Sequence, residues 1–394
     1  MRMLDGRTSE LKAADLDRLV TNQIPEGPEL EYKRDLPGHA DAAHREFLAD
    51  VSSFANSRGG TILYGIDERK GVATEVCGLP GVDPDAERLR LESLLADCVK
   101  PRIPGLTTHA ITATNGHPVV VVHCPQSWTR PHVVDHKGHW RFYARISTRK
   151  VRLDVGDVRS LVGMSESLRE QVRAFRMDRL ARVVSGETPI PLRDGAKIVL
   201  HVVPIQSFTP EASVNLELVT NPPLQPLGSM ASSGRRNFDG HVRYYPGSEF
   251  DEPSYVQVFR NGCIEAVNCG ILAVHTPYPW PVIPGLTFER ELIEATSAYL
   301  DLLTRCEVSA PILIMLSLLG VRGYHVMTEA RSSLQGVEQP IDRADLILPD
   351  VLLEQYPEDV SRSLRPVFDI VWNAGGFKGS PFYDSADNRK EPPG

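Results

Sequence analysis

The chain has 394 residues, 41% hydrophobic and 24% charged, with a formal net charge of -8. That is room for roughly two domains of ~100–200 residues each, each with a real core. No apolar run reaches ~18 residues, so no membrane span is indicated, and the opening MRMLDGRTSELKAADLDRLV lacks a signal-peptide apolar stretch, which makes a cytoplasmic location the expectation.

In chain order, residues 1–23 carry a short helical pattern with Leu11, Leu16 and Leu19 at roughly helical spacing. Pro25-Glu26-Gly27-Pro28 is a turn, and Leu30-Glu31-Tyr32-Lys33 starts a strand. Residues 40–56 read as a helix with Phe47, Leu48, Val51, Phe54 and Ala55 on one face. Gly59-Gly60 stops it, and an apolar strand follows over 61–66. A helix is expected near 84–99. Strands near 106–113 and 118–124 are expected to form a hairpin across Asn115-Gly116. Trp140 to Ile146 is another strand. Ser167 and Glu170 suggest a capping box for a helix running to about 184.

Residues 186–191 look like a linker. Beyond it come a strand from Lys197, strands near 255–260 and 263–268, and a helix at 287–304 capped by Thr287. The apolar stretch 311–319 is a strand or a helix, and periodicity alone does not choose. The tail is polar and expected to be disordered.

Six cysteines form no CxxC pair and read as reduced, buried thiols. A local group, His132, His136 and His139, lacks zinc spacing and a fourth ligand. No G-x4-G-K-[ST] loop is present, so a Walker nucleotide site is not expected.

Two constellations carry candidate chemistry. Glu26, Glu31, Asp67 and Glu68 sit at the ends of two predicted strands. A hard divalent ion takes such oxygen ligands and can activate water, but solvated acids explain the same residues. The second constellation is basic: Lys137, Arg141, Arg145, Arg149, Lys150 and Arg152, with no acid between Asp135 and Asp154. On an extended strand Lys137, Arg141 and Arg145 would share one face, with Trp140 and Tyr143 interleaved as stacking platforms. They form either a phosphate track or a solvated strand edge.

The segment from Glu26 to Lys33 is similar to the Schlafen pattern E-x4-E-F-K. The run Phe54-Ala55-Asn56-Ser57-Arg58-Gly59-Gly60, continuing to Asp67-Glu68, resembles that family's A-F-A-N-T-x-G-G-x-x-x-x-G-V-D-D. Val82-Asp83-Pro84-Asp85 and Phe142-Tyr143-Ala144-Arg145-Ile146-Ser147-Thr148 extend the likeness to a Schlafen-type AlbA_2 domain over residues 24–165.

The resemblance implies a mixed-sheet AlbA_2 domain with flanking helices, and the strand and helix patterns beyond 196 add a second, mixed α/β domain, so the expected class is α+β. The expected division is an N-terminal helical segment (1–23), the AlbA_2 domain (24–165), a connecting helix and linker (166–195), an accessory domain (196–376) and a disordered tail (377–394). It implies catalytic roles for Glu26, Glu31, Glu68 and Lys33. Glu26, Glu31 and Glu68 would hold Mg²⁺ or Mn²⁺, with Asp67 as substitute ligand because Glu68 stands where the family has Asp. It implies nucleic-acid contacts from Lys33, Arg34, Arg58, Lys137, Arg141, Arg145, Arg149 and Lys150. The expected function is a metal-dependent endoribonuclease on structured RNA such as tRNA, in stress response or phage defence. A non-catalytic DNA- or RNA-binding regulator is the alternative, and a nucleotide-binding protein a weaker one. RNA is favoured over DNA, no membrane partner is expected, and a motif set present once suggests a homodimer.

Overall fold

The structure is a computed structural model. It describes residues 11–209, 212–248, 252–273, 279–328, 339–384 and 387–390. Two compact units divide the chain, Met1–Glu170 and Gln171–Gly394.

The first ten residues of the expected N-terminal helix lie outside the described residues; the rest holds α1 (Ala13–Thr21), which buries Leu16 and Leu19. The next elements, β1 (Leu30–Lys33), α2 (Asp41–Ala55) and β2 (Gly59–Tyr64), make a parallel crossover, with β1 pairing in parallel with β2. In α2, Phe47, Leu48, Val51 and Phe54 recur at helical spacing and are buried. A tight hairpin follows, β3 (Ile66–Arg69) to β4 (Val72–Val76), turning at Lys70-Gly71 with both φ positive.

Asp83 caps α3 (Pro84–Cys98): its Oδ1 accepts from the Asp85 and Ala86 amides, and proline fills the first helical position. β5 (Val99–Lys100) follows. β6 (Thr107–Thr112) and β7 (Pro118–Pro125) form the antiparallel hairpin expected across Asn115-Gly116, where Gly116 has φ 83°. The meander β8 (Val133–His136), β9 (His139–Ile146) and β10 (Arg149–Arg152) has two-residue turns at Lys137-Gly138 and Ser147-Thr148.

Two four-stranded sheets result, ordered β1-β2-β7-β6 and β10-β9-β8-β5. The first is buried on both faces. Ile62, Tyr64, Val120 and Val122 join the cluster around α2 and α3, while Leu63, Val119 and Val121 join the one around α1. Alternate side chains of each strand point to opposite faces, so both sides must be apolar.

The helix expected from Ser167 starts earlier: α4 spans Val155–Ser185. Its true capping box is Asp154 and Asp157, each carboxylate accepting the other's amide at 2.9 and 3.0 Å. Ser167 lies inside the helix.

The second unit is built on an antiparallel sheet. Its elements are β11 (Lys197–Pro204), β12 (Ser233–Arg236), β13 (Gly240–Tyr245), β14 (Ser254–Phe259), β15 (Ile264–Asn268), β16 (Val282–Pro284), α5 (Gly285–Arg305), β17 (Ile312–Leu319), β18 (His325–Met327), β19 (Leu346–Ile347), β20 (Val351–Leu353) and α6 (Val360–Ala374). The order is β12-β13-β14-β15-β11-β17-β19, with β20 also on β17; β16 and β18 pair in parallel apart from it. The ambiguous apolar stretch is thus β17, buried along its length. α5 begins at Gly285 rather than at a Thr287 cap. A Cβ on Gly285 would lie 2.3 Å from the Trp372 ring, so glycine lets α6 approach.

The chain is α+β, as expected, and the region beyond 196 is predominantly an antiparallel sheet with packed helices. One further expectation is corrected. The tail from 377 is not disordered where it is described: Ser380 Oγ donates to Glu289, and Tyr383 is buried with its hydroxyl on Ser361 O. Polar composition misled because the acceptor, Glu289, is itself buried and requires donors.

The sheet also encloses a charged network. Arg179 forks onto both oxygens of Glu265 at 2.8 and 2.9 Å. His201 Nε2 lies 3.0 Å from the same carboxylate, and Tyr255 donates to it at 2.8 Å. Among the described residues no helix is long and apolar enough to cross a membrane.

Candidate functional site

The segment Phe54 to Gly60 positions the site by steric and hydrogen-bond fit. A Cβ on Gly60 would lie 2.2 Å from the Phe54 ring, and Gly59 has φ 81°, so both glycines are required. Asn56 staples α2 to the meander. Its amide donates to His132 O and Tyr143 O, and its oxygen accepts from His132 N. Ser57 Oγ accepts from Arg145 N at 2.6 Å. Arg145 is thereby held with its guanidinium 4.3 Å from the centre of the Phe54 ring.

Glu31 is 7% exposed. Lys33, two residues on and so on the same strand face, reaches its Oε1 at 2.7 Å, and Arg145 holds Oε2. Burial pushes the Glu31 carboxyl up, but Lys33 and Arg145 together outweigh it and leave it below the usual range. Lys33 is in turn raised, Glu31 outweighing its own burial. Beside them Lys150 binds the buried Asp50. Burial raises the Asp50 carboxyl, Glu31 adds to this, and Lys150 opposes it.

Glu26 and Glu68 meet at the β3–β4 turn. Glu26 N donates to Gly71 O, and Gly71 N donates to Glu68 Oε2. Glu26 Oε1 accepts from Tyr32 N at 2.8 Å. Its carboxyl is raised, first by burial and further by Glu31 and Glu68, against the Tyr32 amide and Lys33. Asp67 turns instead to Arg34, 3.0 Å away.

The family description "Schlafen, AlbA_2" matches residues 26–154. This stretch is a Schlafen AlbA_2 domain. A solved structure, the DIP2311 protein from Corynebacterium diphtheriae, is similar at 14% identity, with 36% of this chain and 31% of that chain covered and a TM-score of 0.25. This chain therefore spans about a third of that protein, and the likeness carries no argument about fold. No match is found among curated proteins. A Schlafen AlbA_2 domain over residues 26–154 suggests a nucleic-acid-related role for that domain.

Schlafen acids imply a divalent ion, and the AlbA_2 residues here do not fit one as arranged. Both Glu31 oxygens are taken by cations, and one oxygen each of Glu26 and Glu68 accepts a backbone amide. Among the described residues, the group that brings three ligand atoms within 4.8 Å of one another is Asp41, His44 and His136.

The basic track is also redistributed. Lys137 lies in a turn and pairs with Asp41, and Arg145, though on the same face of β9 as Arg141, has its side chain only 4% exposed on Glu31, so the three do not make one exposed track. Lys33 and Lys150 are likewise engaged with buried acids. Arg58, Arg141 and Arg149 are exposed. Trp140 is 62% exposed, whereas Tyr143 packs against the core. In the second unit, Arg235 donates to Pro189 O and Arg236 pairs with Glu217. Sequence reasoning missed Asp50, although an acid amid the apolar face of α2 was the available signal. It also passed over Asn56 as a staple.

Proposed function

We propose that the chain binds nucleic acid, RNA ahead of DNA, with its AlbA_2 domain gripping phosphates through the cations the fold leaves exposed. The observation that supports this is the division among basic residues. Lys33, Arg145 and Lys150 neutralise buried acids, while Arg58, Arg141 and Arg149 stand in solvent, and Trp140 is exposed as well. A chain of net charge -8 must concentrate its positive charge locally to do this. The expected result is salt-dependent binding, with a slope of about -0.7 per phosphate contact on single strands. Replacing Arg58, Arg141 and Arg149 together by alanine should flatten the slope by about 2 and weaken all sequences alike. Trp140→Ala should weaken single strands by about 1–3 kcal/mol. Filter binding against salt reads both, and an unchanged slope in the folded triple variant would sink the reading.

One observation favours a second reading, a cytoplasmic, Schlafen-type, Mg²⁺- or Mn²⁺-dependent endoribonuclease on structured RNA such as tRNA, serving stress response or phage defence. Glu26 N and Glu68 Oε2 both bond Gly71 at the β3–β4 turn, which brings two of the three acids together, and an ion held there would have to draw Glu31 away from Lys33 and Arg145. A homodimer would then supply the second lobe of a groove. Labelled tRNA and duplex DNA, incubated with Mn²⁺, Mg²⁺ or EDTA, test it. Glu26→Gln should abolish cutting while binding persists, and so should Glu31→Gln once circular dichroism shows it folded, since that change also strands Arg145 and Lys33. Cutting at the wild-type rate by the double variant would reject the carboxylate mechanism.

A further inference from the structure

Asp41 opens α2, and His44 lies one turn later on the same side of the helix. His136 ends β8 and is 8% exposed. The His44 and His136 rings meet edge to face with centroids 6.2 Å apart, and Asp41 Oδ1 is 3.9 Å from His136 Nε2. Ligand atoms of all three residues lie within 4.8 Å of one another. The Nε2 atoms of His44 and His136 are both buried, and neither has a hydrogen-bond partner. Buried imidazole nitrogens are ordinarily satisfied, so two orphans facing one carboxylate call for an occupant. Lys137 does not supply it, because it takes the other oxygen of Asp41, Oδ2.

We propose that Asp41, His44 and His136 bind one zinc-class transition-metal ion, at a site separate from the glutamate cluster. The donors decide the class: imidazole suits Zn²⁺, Co²⁺ and Ni²⁺, whereas Mg²⁺ is held by oxygen. Three protein ligands on a tetrahedral ion leave a fourth position for water. Outer contacts already orient the donors, with His136 Nδ1 3.7 Å from Cys98 Sγ and Lys137 on the far oxygen of Asp41. The ion would clip the first turn of α2 to the hairpin that carries Trp140 and Arg141, two residues of the proposed nucleic-acid face. The neighbouring positive charges of Arg45, Arg90 and Lys137 make it a weaker site than a closed thiolate one.

The test uses the full chain, stripped with EDTA and titrated with ZnCl₂ by calorimetry, then with Co²⁺ by visible absorption. One ion per chain and a tetrahedral Co²⁺ spectrum are expected. His44→Gln and His136→Gln should each weaken zinc binding at least about 10-fold, the low end of what losing even an outer partner costs. His44 is the less buried of the two, so its variant keeps the test readable should His136→Gln fail to fold. Glu26→Gln/Glu68→Gln should bind zinc as the wild type does, whether or not the chain cuts RNA. No zinc binding by the wild type, unchanged affinity in folded His44→Gln, or loss of zinc in the double glutamate variant would each overturn the proposal.

Discussion

Replacing Arg145 by alanine is expected to destabilise the first unit by roughly 3–5 kcal/mol, the cost of breaking a buried ion pair from one side. The side chain is 4% exposed and holds Glu31 Oε2 while stacking on Phe54. Its loss leaves a buried carboxylate with Lys33 as its one cation among the described ion pairs. For a unit of this size the melting temperature should fall about 2–4 °C per kcal/mol. Hydrogen exchange in β9, which carries Arg145, should rise, and that readout is specific to the first unit. Adding Glu31→Gln should recover part of the loss, because the uncompensated charge is gone. A loss of only ~0.5 kcal/mol would mean that the pair behaves like a surface bridge. In contrast, Arg141→Ala should leave exchange in β9 unchanged.

Glu265→Gln should destabilise the second unit by a comparable ~3–5 kcal/mol near neutral pH, since Arg179 would be left buried without its counter-ion. The sign of the pH dependence follows from the carboxyl. Burial raises its pKa, but Arg179 and His201 outweigh it and bring it from 4.5 to about 2. The unfolded chain therefore binds the proton more readily, and stability rises with pH across that window. The contribution is complete above about 4.5 and is lost as the pH falls towards about 2. Denaturant titrations from pH 6 to pH 2 should show the gap between wild type and Glu265→Gln narrowing towards acid. A gap that stays constant would place the network's strength elsewhere, in packing.

Local pattern made much of this fold readable. The apolar stripe of α2, the Asn115-Gly116 turn and the cap at Asp83 are short-range signals, and each places its element. Other features depend on partners far away in the chain. Arg145 was one member of a run of cations until the fold brought it to Glu31, which lies 114 positions earlier. His44 and His136 likewise show no metal spacing, because the helix and strand that join them are packed together only in the folded domain. The start of α4 was misplaced because Ser167 and Glu170 fit a capping pattern that Asp154 and Asp157 satisfy. The stretch 311–319 had no period to read, since a strand buried on both faces loses its alternation.

The four residues of β1 form an edge of their sheet, bonded to β2 alone in that sheet. So short a ladder holds few bonds to specify its alignment. The charges on Glu31 and Lys33 do that instead. Sliding the strand by one position would drive both into the apolar cluster around α1 and would thrust the Tyr32 ring among Arg145 and Asp50. The ion pairs that withhold Glu31 from a metal therefore act as an alignment key during folding: a mispaired β1 is penalised by stranded charge before the meander can close over it.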